Sequence, residues 1–329
     1  MARRSLAFAV LAIGCILVAG VAVTLAILGR QDKVDATASE RAKAGPIPRP
    51  SILFRTLDHS QGPASFGVPA IAQAADPGHA RRVAGLQCAR LHAAATGGLC
   101  VARAGSLTGA YKVGILGPDL TVRHRIALAG TPSRARVSPD GRYGATTMFV
   151  SGHSYTRAGT FSTQTMLIDM GRGKRIADLE SFEVTRGGRE VDAPDANLWG
   201  VTFARDSDRF YATMATGGRT HLIEGSVSRR SARVIRDNVE CPSLSPDGTR
   251  IGYKKLIGKA AGWRFHVLDL ASGRETPLAE KWPVDDQIEW LDDRTVLFNY
   301  GEDIWRLPAD GTGAPQRFVA QADSPAVVR

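Results

Sequence analysis

The chain has 329 residues, of which 43% are hydrophobic and 22% charged, and it contains 35 Gly and 17 Pro. Such a chain is long enough for one large domain or two modest ones with a sizeable core. Its composition excludes a collagen, a coiled coil or a disordered acidic tail. Because the net charge of +10 comes with no recognised nucleic-acid motif, we expect no nucleic-acid partner.

The first feature along the chain is an uncharged apolar run from Leu6 to Leu28. At a rise of about 1.5 Å per residue, a helix over this run exceeds a hydrocarbon core of about 30 Å. A cleaved secretory signal has a shorter apolar stretch, followed by a small-residue cleavage site. We therefore predict an uncleaved signal-anchor, a single transmembrane helix. Arg3 and Arg4 before it mildly favour a cytoplasmic N-terminus and an extracytoplasmic remainder.

Two alternatives for this N-terminal segment stay open. The residues Ala12 to Cys15 faintly resemble a lipoprotein box, although apolar residues continue after Cys15, where a lipoprotein turns polar. Arg3 and Arg4 could also start a twin-arginine export signal, although the residues that flank them match that pattern poorly.

A polar stretch that ends in alternating prolines follows the apolar run. It is typical of a solvated stalk that stiffens toward an extended conformation. The predicted organisation is a cytoplasmic N-terminus (1–5), a transmembrane helix (6–28), a stalk (29–50) and a globular domain (51–329).

Within 51–329, one turn fragment occurs twice. Proline fixes φ at the second position of a β-turn, aspartate accepts local backbone hydrogen bonds, and glycine takes the positive φ that closes the turn. An apolar strand on each side makes a hairpin. The two copies are Ser138, Pro139, Asp140, Gly141 and Ser245, Pro246, Asp247, Gly248. Weaker copies follow His92, Ala204 and Leu291, which gives hairpins roughly every 40–50 residues, with about twenty extra residues in one unit.

A hairpin period of this length is typical of a β-propeller with one four-stranded sheet per blade. A second signature, an apolar strand followed by a turn closed by glycine, recurs at 165–173, 265–273 and 303–311. Residues 323–328 look like a first strand without a partner, and 51–57 look like a second strand without a first. Joining these strands closes a ring without exposed sheet edges. The sequence therefore predicts an all-β, six-bladed propeller with four-stranded antiparallel blades.

These repeats resemble those of TolB-like propellers, which belong to a broader WD40-like class with PD40-type repeats. The resemblance covers roughly residues 50–329 and is strongest in the two units with the complete turn fragment. It implies a six-bladed fold and a binding role. TolB-like proteins carry an N-terminal α/β domain that contacts partners, whereas this chain has an apolar run and a stalk there, so the resemblance does not imply the same partners.

Cys88 and Cys100 flank the first hairpin. If the turn centres near Ala94 or Ala95, the two cysteines lie nearly opposite each other on adjacent strands and can form a disulfide. An extracytoplasmic compartment permits this bond. We expect Cys241 to be a buried free thiol.

Motifs for catalysis and for metal or cofactor binding are missing from the sequence. The seven histidines are scattered, and we interpret them as surface or turn residues. Aspartates that could bind Ca²⁺ are interpreted as turn residues, namely Asp206, Asp208, Asp285, Asp286, Asp292 and Asp293. We therefore predict no metal and no cofactor.

Two polar segments, 150–164 and 181–199, are longer than the fold requires. Loops of a propeller gather on one face around the central channel, where ligands or partners bind. The predicted partner-binding residues in these segments are His153, Tyr155, Arg157, Phe161, Arg186, Arg189 and Trp199.

The sequence thus favours a non-catalytic, membrane-tethered, extracytoplasmic propeller that binds a protein or an envelope ligand. The alternatives are an enzyme, such as a lyase or hydrolase, and a ligand sensor with its site at the central channel. Convergent ionisable groups at the channel mouth would favour either alternative.

Overall fold

The structure, a computed structural model, describes residues 49–58, 66–83, 85–105, 109–150, 162–258 and 262–329. It contains six sheets, each with four antiparallel strands, and one sheet has two further strands at its outer edge. The innermost strand of each sheet contacts the innermost strands of the two neighbouring sheets, so that the six sheets form a closed ring. This arrangement confirms the predicted all-β, six-bladed propeller. Among the described residues, no helix has the length and apolar character needed to cross a membrane. The predicted anchor, 6–28, lies outside the described residues.

Each blade is named here by its position in the ring. Blade 1 contains β1 (Ser51–Thr56), β2 (Pro69–Gln73), β3 (Asp76–Arg82) and, innermost, β26 (Ala322–Val328). Blade 2 contains β4 (Arg90–Ala94), β5 (Gly97–Arg103), β6 (Tyr111–Leu116) and β7 (Val122–Leu128). Blade 3 contains β8 (Thr131–Val137), β9 (Tyr143–Val150), β10 (Ser162–Asp169) and β11 (Lys174–Asp178), and a short 3₁₀ helix follows it (Leu179–Ser181).

Blade 4 contains β14 (Asn197–Phe203), β15 (Arg209–Thr216), β16 (Arg219–Ser226) and β17 (Ser231–Asp237), together with β12 (Glu183–Arg186) and β13 (Arg189–Glu190) at its outer edge. Blade 5 contains β18 (Glu240–Leu244), β19 (Arg250–Gly258), β20 (Gly262–Asp269) and β21 (Glu275–Pro277). Blade 6 contains β22 (Glu289–Trp290), β23 (Thr295–Tyr300), β24 (Asp303–Pro308) and β25 (Gln316–Val319).

The ring closes in blade 1, as the sequence predicted. Strand β26 lies antiparallel to β1, with Ser51 opposite Val328 and Ile52 opposite Val327. Residues from the two ends of the described chain therefore share one sheet, and this pairing covers edges that would otherwise be open.

The hydrophobic core is divided into six clusters, one between each pair of neighbouring blades. Because successive side chains of a strand point to opposite faces, each blade packs against both neighbours. In β1, for example, Ile52 and Phe54 belong to the cluster shared with blade 6, whereas Leu53 belongs to the cluster shared with blade 2. This explains why middle strands such as β9 and β15 are buried at successive rather than alternate positions.

The turns between the first and second strands of the blades lie on one face of the ring, which we call the turn face. In blade 3 the Gly141 N–H donates to the Ser138 carbonyl (2.8 Å), and Gly141 has φ +72°. In blade 5 the Gly248 N–H donates to the Ser245 carbonyl (2.9 Å), and Gly248 has φ +76°. The opposite face, where the innermost strands begin, is called the mouth face.

A disulfide joins Cys88, just before β4, to Cys100 in β5, with the Cα atoms 5.3 Å apart. This confirms the predicted bond. The hairpin that it braces turns at two residues, since Ala94 lies opposite Gly97. Cys241 is buried and free, as expected.

Candidate functional site

The central channel is divided into two pockets. The pocket at the mouth face, the mouth pocket, has a volume of about 400 Å³. The one at the turn face has a volume of about 270 Å³. His92, Arg136 and Glu289 line both pockets. These three side chains therefore form a polar plug that separates the two pockets.

The plug is an ion pair surrounded by backbone partners. The guanidinium of Arg136 donates to the carboxylate of Glu289 and, from Nη2, to the Ile288 carbonyl (3.3 Å). Glu289 also accepts from the Val327 N–H of blade 1 (3.1 Å). Burial acts to raise the pKa of Glu289, but Arg136 and then His92 hold it at about 2. The plug thus joins blades 2, 3, 6 and 1 through a pair of buried charges.

His92 is neutral in this setting. The Val137 N–H donates to its Nδ1 (3.1 Å), and its Nε2 lies 2.9 Å from Arg136 Nη1 and 3.5 Å from the Glu289 carboxylate. Burial, together with the neighbouring Arg136, lowers the pKa of His92. The prediction that every histidine is a surface or turn residue is therefore wrong for this one. It is wrong also for His221 and His266, which are buried.

Two arginines form one wall of the mouth pocket. Arg90 starts β4 and Arg134 lies in β8, and both guanidinium groups donate to the same acceptor, the Ser133 carbonyl, at 2.6 and 3.0 Å respectively. Among the described residues, no carboxylate lies within ion-pair distance of Arg90. Arg134 reaches only Asp286, at 3.7 Å. The Nε of Arg134 is buried, without a hydrogen-bond partner in the described part of the chain. We call Arg90 and Arg134 the arginine pair.

Carboxylates line the rest of the pocket, and Asp286 adjoins the arginine pair, 3.7 Å from Arg134. Asp286 accepts from the Asn299 N–H (2.9 Å), and Asp323 accepts both of its contacts from the Arg55 guanidinium. Asp285 accepts from the buried Lys254 (2.5 Å). The mouth pocket therefore combines two weakly compensated positive charges with three carboxylates.

The resolved pKa shifts of Lys254 and Asp285 favour their charged forms, whereas burial lowers the pKa of Arg90. Burial acts to lower the pKa of Lys254, but Cys241, Glu240 and Asp285 together raise it. Burial acts to raise the pKa of Asp285, but Lys254 and Arg134 lower it. A general acid or base works best with a pKa near the working pH. The mouth instead provides fixed charges, which suit recognition of a charged ligand.

An aromatic cluster borders the mouth pocket. Tyr300 ends β23, lines the mouth pocket and is 37% exposed. Trp282 stacks on it, with ring centroids 4.4 Å apart and planes 17° apart, and Trp305 packs edge-on against Trp282 at 4.9 Å. The stacking holds the Tyr300 ring in place at the rim of the pocket.

The predicted partner-binding residues fall into three groups. His153, Tyr155, Arg157 and Phe161 lie outside the described residues. Arg186 and Arg189 belong to β12 and β13, a hairpin that adds to the outer edge of blade 4 by parallel pairing of Glu183 with Ser231. Trp199 is half-buried in β14, the innermost strand of blade 4. The structure therefore places Arg186 and Arg189 away from the channel, where Arg186 pairs with Asp237 (2.7 Å).

The sequence reasoning missed the arginine pair and Tyr300, and it interpreted Asp285 and Asp286 as turn residues. These two aspartates instead lie at the mouth, just before β22. A usable signal existed for part of the site, because Arg90, Asp286 and Asp323 precede or begin innermost strands. Counting back from each predicted turn would have identified the positions, although not which of them face the channel.

Two further aspartates, which the sequence analysis interpreted as turn residues, can also be placed. Asp206 and Asp208 cap turns, since Asp206 accepts from the Arg209 N–H (2.8 Å) and Asp208 from the Ser228 N–H (2.8 Å). Among the described residues, no group of three or more His, Cys, Asp or Glu is placed to hold a metal ion.

Comparison with known proteins identifies the fold and goes no further. No protein-family model matches the sequence, and no curated protein matches it significantly. Among solved structures, TolB from Acinetobacter baumannii is similar with a TM-score of 0.58 and 14% identity, over 85% of this chain and 67% of that one. A chain of a nidogen/laminin complex is similar with a TM-score of 0.56 and 10% identity, over 84% of this chain and 97% of that one. The protein is a six-bladed β-propeller with a TolB-like structural neighbour.

Proposed function

We propose that this chain is a membrane-tethered, extracytoplasmic propeller that binds a protein or an envelope component at its mouth face, without catalysing a reaction. Residues 6–28 act as the anchor in this proposal, 1–5 remain in the cytoplasm and 29–50 form the stalk. The apolar run, longer than the usual apolar stretch of a cleaved signal, supports the anchor. The disulfide between Cys88 and Cys100 agrees with an oxidising compartment.

The observation that carries the proposal is the charged mouth pocket. It combines the arginine pair, three carboxylates and the exposed Tyr300 at the end of the channel, in a cavity of about 400 Å³. A concave site with a few converging polar groups is the usual form of a ligand site. The resolved pKa shifts at Lys254, Arg134 and Asp285 favour their charged forms. Fixed charges support binding rather than proton transfer.

The place where the described chain begins supports the choice of face. Arg49, where the described chain begins, donates to the Ala95 carbonyl in the first turn of blade 2, on the turn face. A stalk that joins the ring here would direct the mouth face away from the bilayer, toward partners in the surrounding compartment. The names of the similar structures add support, since one of them is a complex of two proteins, nidogen and laminin.

The binding face can be tested by photo-crosslinking in the native membrane. A photoreactive amino acid at Glu302, exposed on the mouth face of blade 6, should give a discrete adduct. The same substitution at Arg294, exposed on the turn face of that blade, should not. An adduct from position 294 alone, or equal adducts from both positions, would contradict the proposal.

The anchor needs a separate experiment. The full chain should remain in the membrane pellet after carbonate extraction, and external protease should reach the propeller domain in spheroplasts. A chain in which 6–28 is replaced by a cleavable export signal should be released in soluble form. Release of the unaltered chain by carbonate would show that the apolar run does not span the bilayer.

A further inference from the structure

The mouth pocket has a lining that specifies the chemistry of its ligand, and this inference rests on the proposed binding function. The arginine pair forms one part of the lining, three carboxylates form another, and an aromatic ring stands at the rim. Each part limits what can bind.

The arginine pair is only weakly compensated by carboxylates in the described part of the chain. Two guanidinium groups that donate to one carbonyl oxygen are held side by side despite their like charge. Arg90 has no carboxylate within ion-pair distance in the described part of the chain, and the nearest carboxylate to Arg134 is 3.7 Å away. A carboxylate placed between the two groups would accept charge-assisted hydrogen bonds from both and relieve their repulsion.

The three carboxylates limit the rest of the ligand. Asp285, Asp286 and Asp323 each receive a hydrogen bond from the protein, but a carboxylate has about four acceptor sites, so acceptor capacity remains. Hydroxyl groups of a ligand would donate to these oxygens, whereas a second ligand carboxylate would meet like charge. The lining thus favours a ligand with a single carboxylate and several hydroxyls, and it disfavours a strongly acidic peptide.

The aromatic rim adds a flat contact surface. Trp282 covers one face of Tyr300, so that the ring is fixed while its exposed part borders the pocket. The π face of an aromatic ring is electronegative and attracts the weakly positive C–H groups of a stacked ring. Below the pocket, the plug closes the channel, so that a ligand enters by its end and does not pass through.

We propose that the mouth pocket binds a uronic-acid sugar, such as the terminal residue of an acidic envelope polysaccharide. The carboxylate lies between Arg90 and Arg134, the hydroxyls donate to Asp286 and its neighbours, and the sugar ring lies against Tyr300. No covalent step is involved. A protein partner at the same face would bind around this pocket or compete for it.

The test is calorimetric titration of the full chain in a polyoxyethylene detergent, which has no sugar headgroup. Three probes separate the sources of affinity: D-glucuronate, the neutral D-glucuronamide, and N-acetyl-aspartate α-amide, which has one carboxylate on a peptide-like body. We expect glucuronate to bind and the amide to bind about ten-fold or more weakly, because charge-assisted hydrogen bonds are lost. The peptide-like probe should also bind more weakly than glucuronate.

Variants assign the affinity to the pocket. Arg90→Met should weaken glucuronate binding by about ten-fold or more, whereas the control Arg317→Met, an exposed arginine on β25, should bind as the unaltered chain does. Tyr300→Ala should weaken glucuronate but not the peptide-like probe. This variant keeps the test decisive if Arg90→Met fails to fold.

Three outcomes would overturn the proposal. Glucuronate and glucuronamide could bind alike, or glucuronate could fail to bind, or Arg90→Met could leave its affinity unchanged. If the peptide-like probe binds as tightly as glucuronate and Tyr300→Ala has no effect, the ligand carboxylate comes from a peptide and the sugar assignment is wrong. None of these outcomes changes the crosslinking result at Glu302, so the binding face itself is judged separately.

Discussion

Glu289 and Arg136 form an ion pair across the channel although they lie 153 residues apart in the chain. Their side chains are only 8% and 10% exposed. A buried charge that loses its partner keeps its desolvation cost, so the two groups depend on each other. The pair therefore acts as a link between blades 3 and 6 at the centre of the ring.

Replacing one member of this pair should be costly. Glu289→Gln leaves the Arg136 charge buried without a counterion and should lower the free energy of unfolding by about 3–5 kcal/mol. Chemical denaturation of the full chain measures this. The double variant Arg136→Met with Glu289→Gln should be more stable than Glu289→Gln alone. Loss of an exposed pair, in Arg172→Ala, should cost about 0.5 kcal/mol or less. Equal effects for the buried and exposed pairs would contradict the role of the plug.

Glu180 and Glu280 occupy equivalent positions after the fourth strands of blades 3 and 5. Glu180 accepts from the Thr165 N–H (2.9 Å), and Glu280 accepts from the Phe265 N–H (2.7 Å). Burial raises the pKa of both carboxyl groups to about 7, from an ordinary value of 4.5. A raised pKa means that the folded state favours the protonated form. The resulting stability is full below about pH 4.5 and is lost as the pH rises toward 7.

We expect the free energy of unfolding to fall between pH 4.5 and 7, because Glu180 and Glu280 lose their protons over this range. Glu180→Gln with Glu280→Gln should flatten this part of the profile, because neither amide titrates. Glu183→Gln, which alters an exposed carboxylate nearby, should leave the profile unchanged. Thermal unfolding across a pH series provides the measurement. A decline of the same size in the double variant would show that other groups cause it.

Gly141 and Gly248 occupy the same place in two repeats and have φ of +72° and +76°. A Cβ on Gly248 would meet nothing within 4 Å, whereas a Cβ on Gly141 would lie 1.7 Å from Thr96 Oγ1. Gly248→Ala should therefore cost about 1–2 kcal/mol, for the left-handed backbone alone, and Gly141→Ala should cost clearly more. Both are compared by chemical denaturation. In a Thr96→Gly background the two costs should become similar, and a difference that persists would show that Thr96 is not its cause.

The disulfide between Cys88 and Cys100 closes a short loop. Cys100→Ala should lower the free energy of unfolding by about 2–4 kcal/mol, because the bond no longer restricts the unfolded chain. A reductant should produce a similar loss in the unaltered chain. The reductant should have no effect on the double variant Cys88→Ala with Cys100→Ala, since the remaining Cys241 is already a free thiol. An unaltered chain that melts at the same temperature with and without reductant would contradict this.

The fold could be predicted from the sequence because its main signals are local. The fragments at Ser138 and Ser245 determine their own turns through residues within four positions. The ring closure followed from 323–328, which look like a first strand without a partner, and from 51–57, which look like a second strand without a first. The β12–β13 hairpin gave no comparable signal, because its parallel pairing with β17 depends on an open sheet edge and not on a residue pattern.

The site could not be predicted for a different reason. Arg90, Arg134, Asp286 and Asp323 come from four blades and meet only when the ring closes. In the sequence each is an ordinary charged residue beside a strand. The segments 150–164 and 181–199 were predicted to bind a partner because they are longer than the fold requires. Arg186, in the second segment, instead pairs with Asp237 at the outer edge of blade 4.

The seam between β1 and β26 also has a consequence for the order of folding. Arg55 and Asp323, which face each other across it, lie 268 positions apart in the chain, and contacts of such separation form slowly. Since Asp323 also lines the mouth pocket, this pocket is complete only when the last blade has formed. A ligand held there binds the closed ring alone and shifts the equilibrium against local opening of blade 1. A ligand bound in the mouth pocket should therefore slow hydrogen exchange of the backbone amides in β1 and β26.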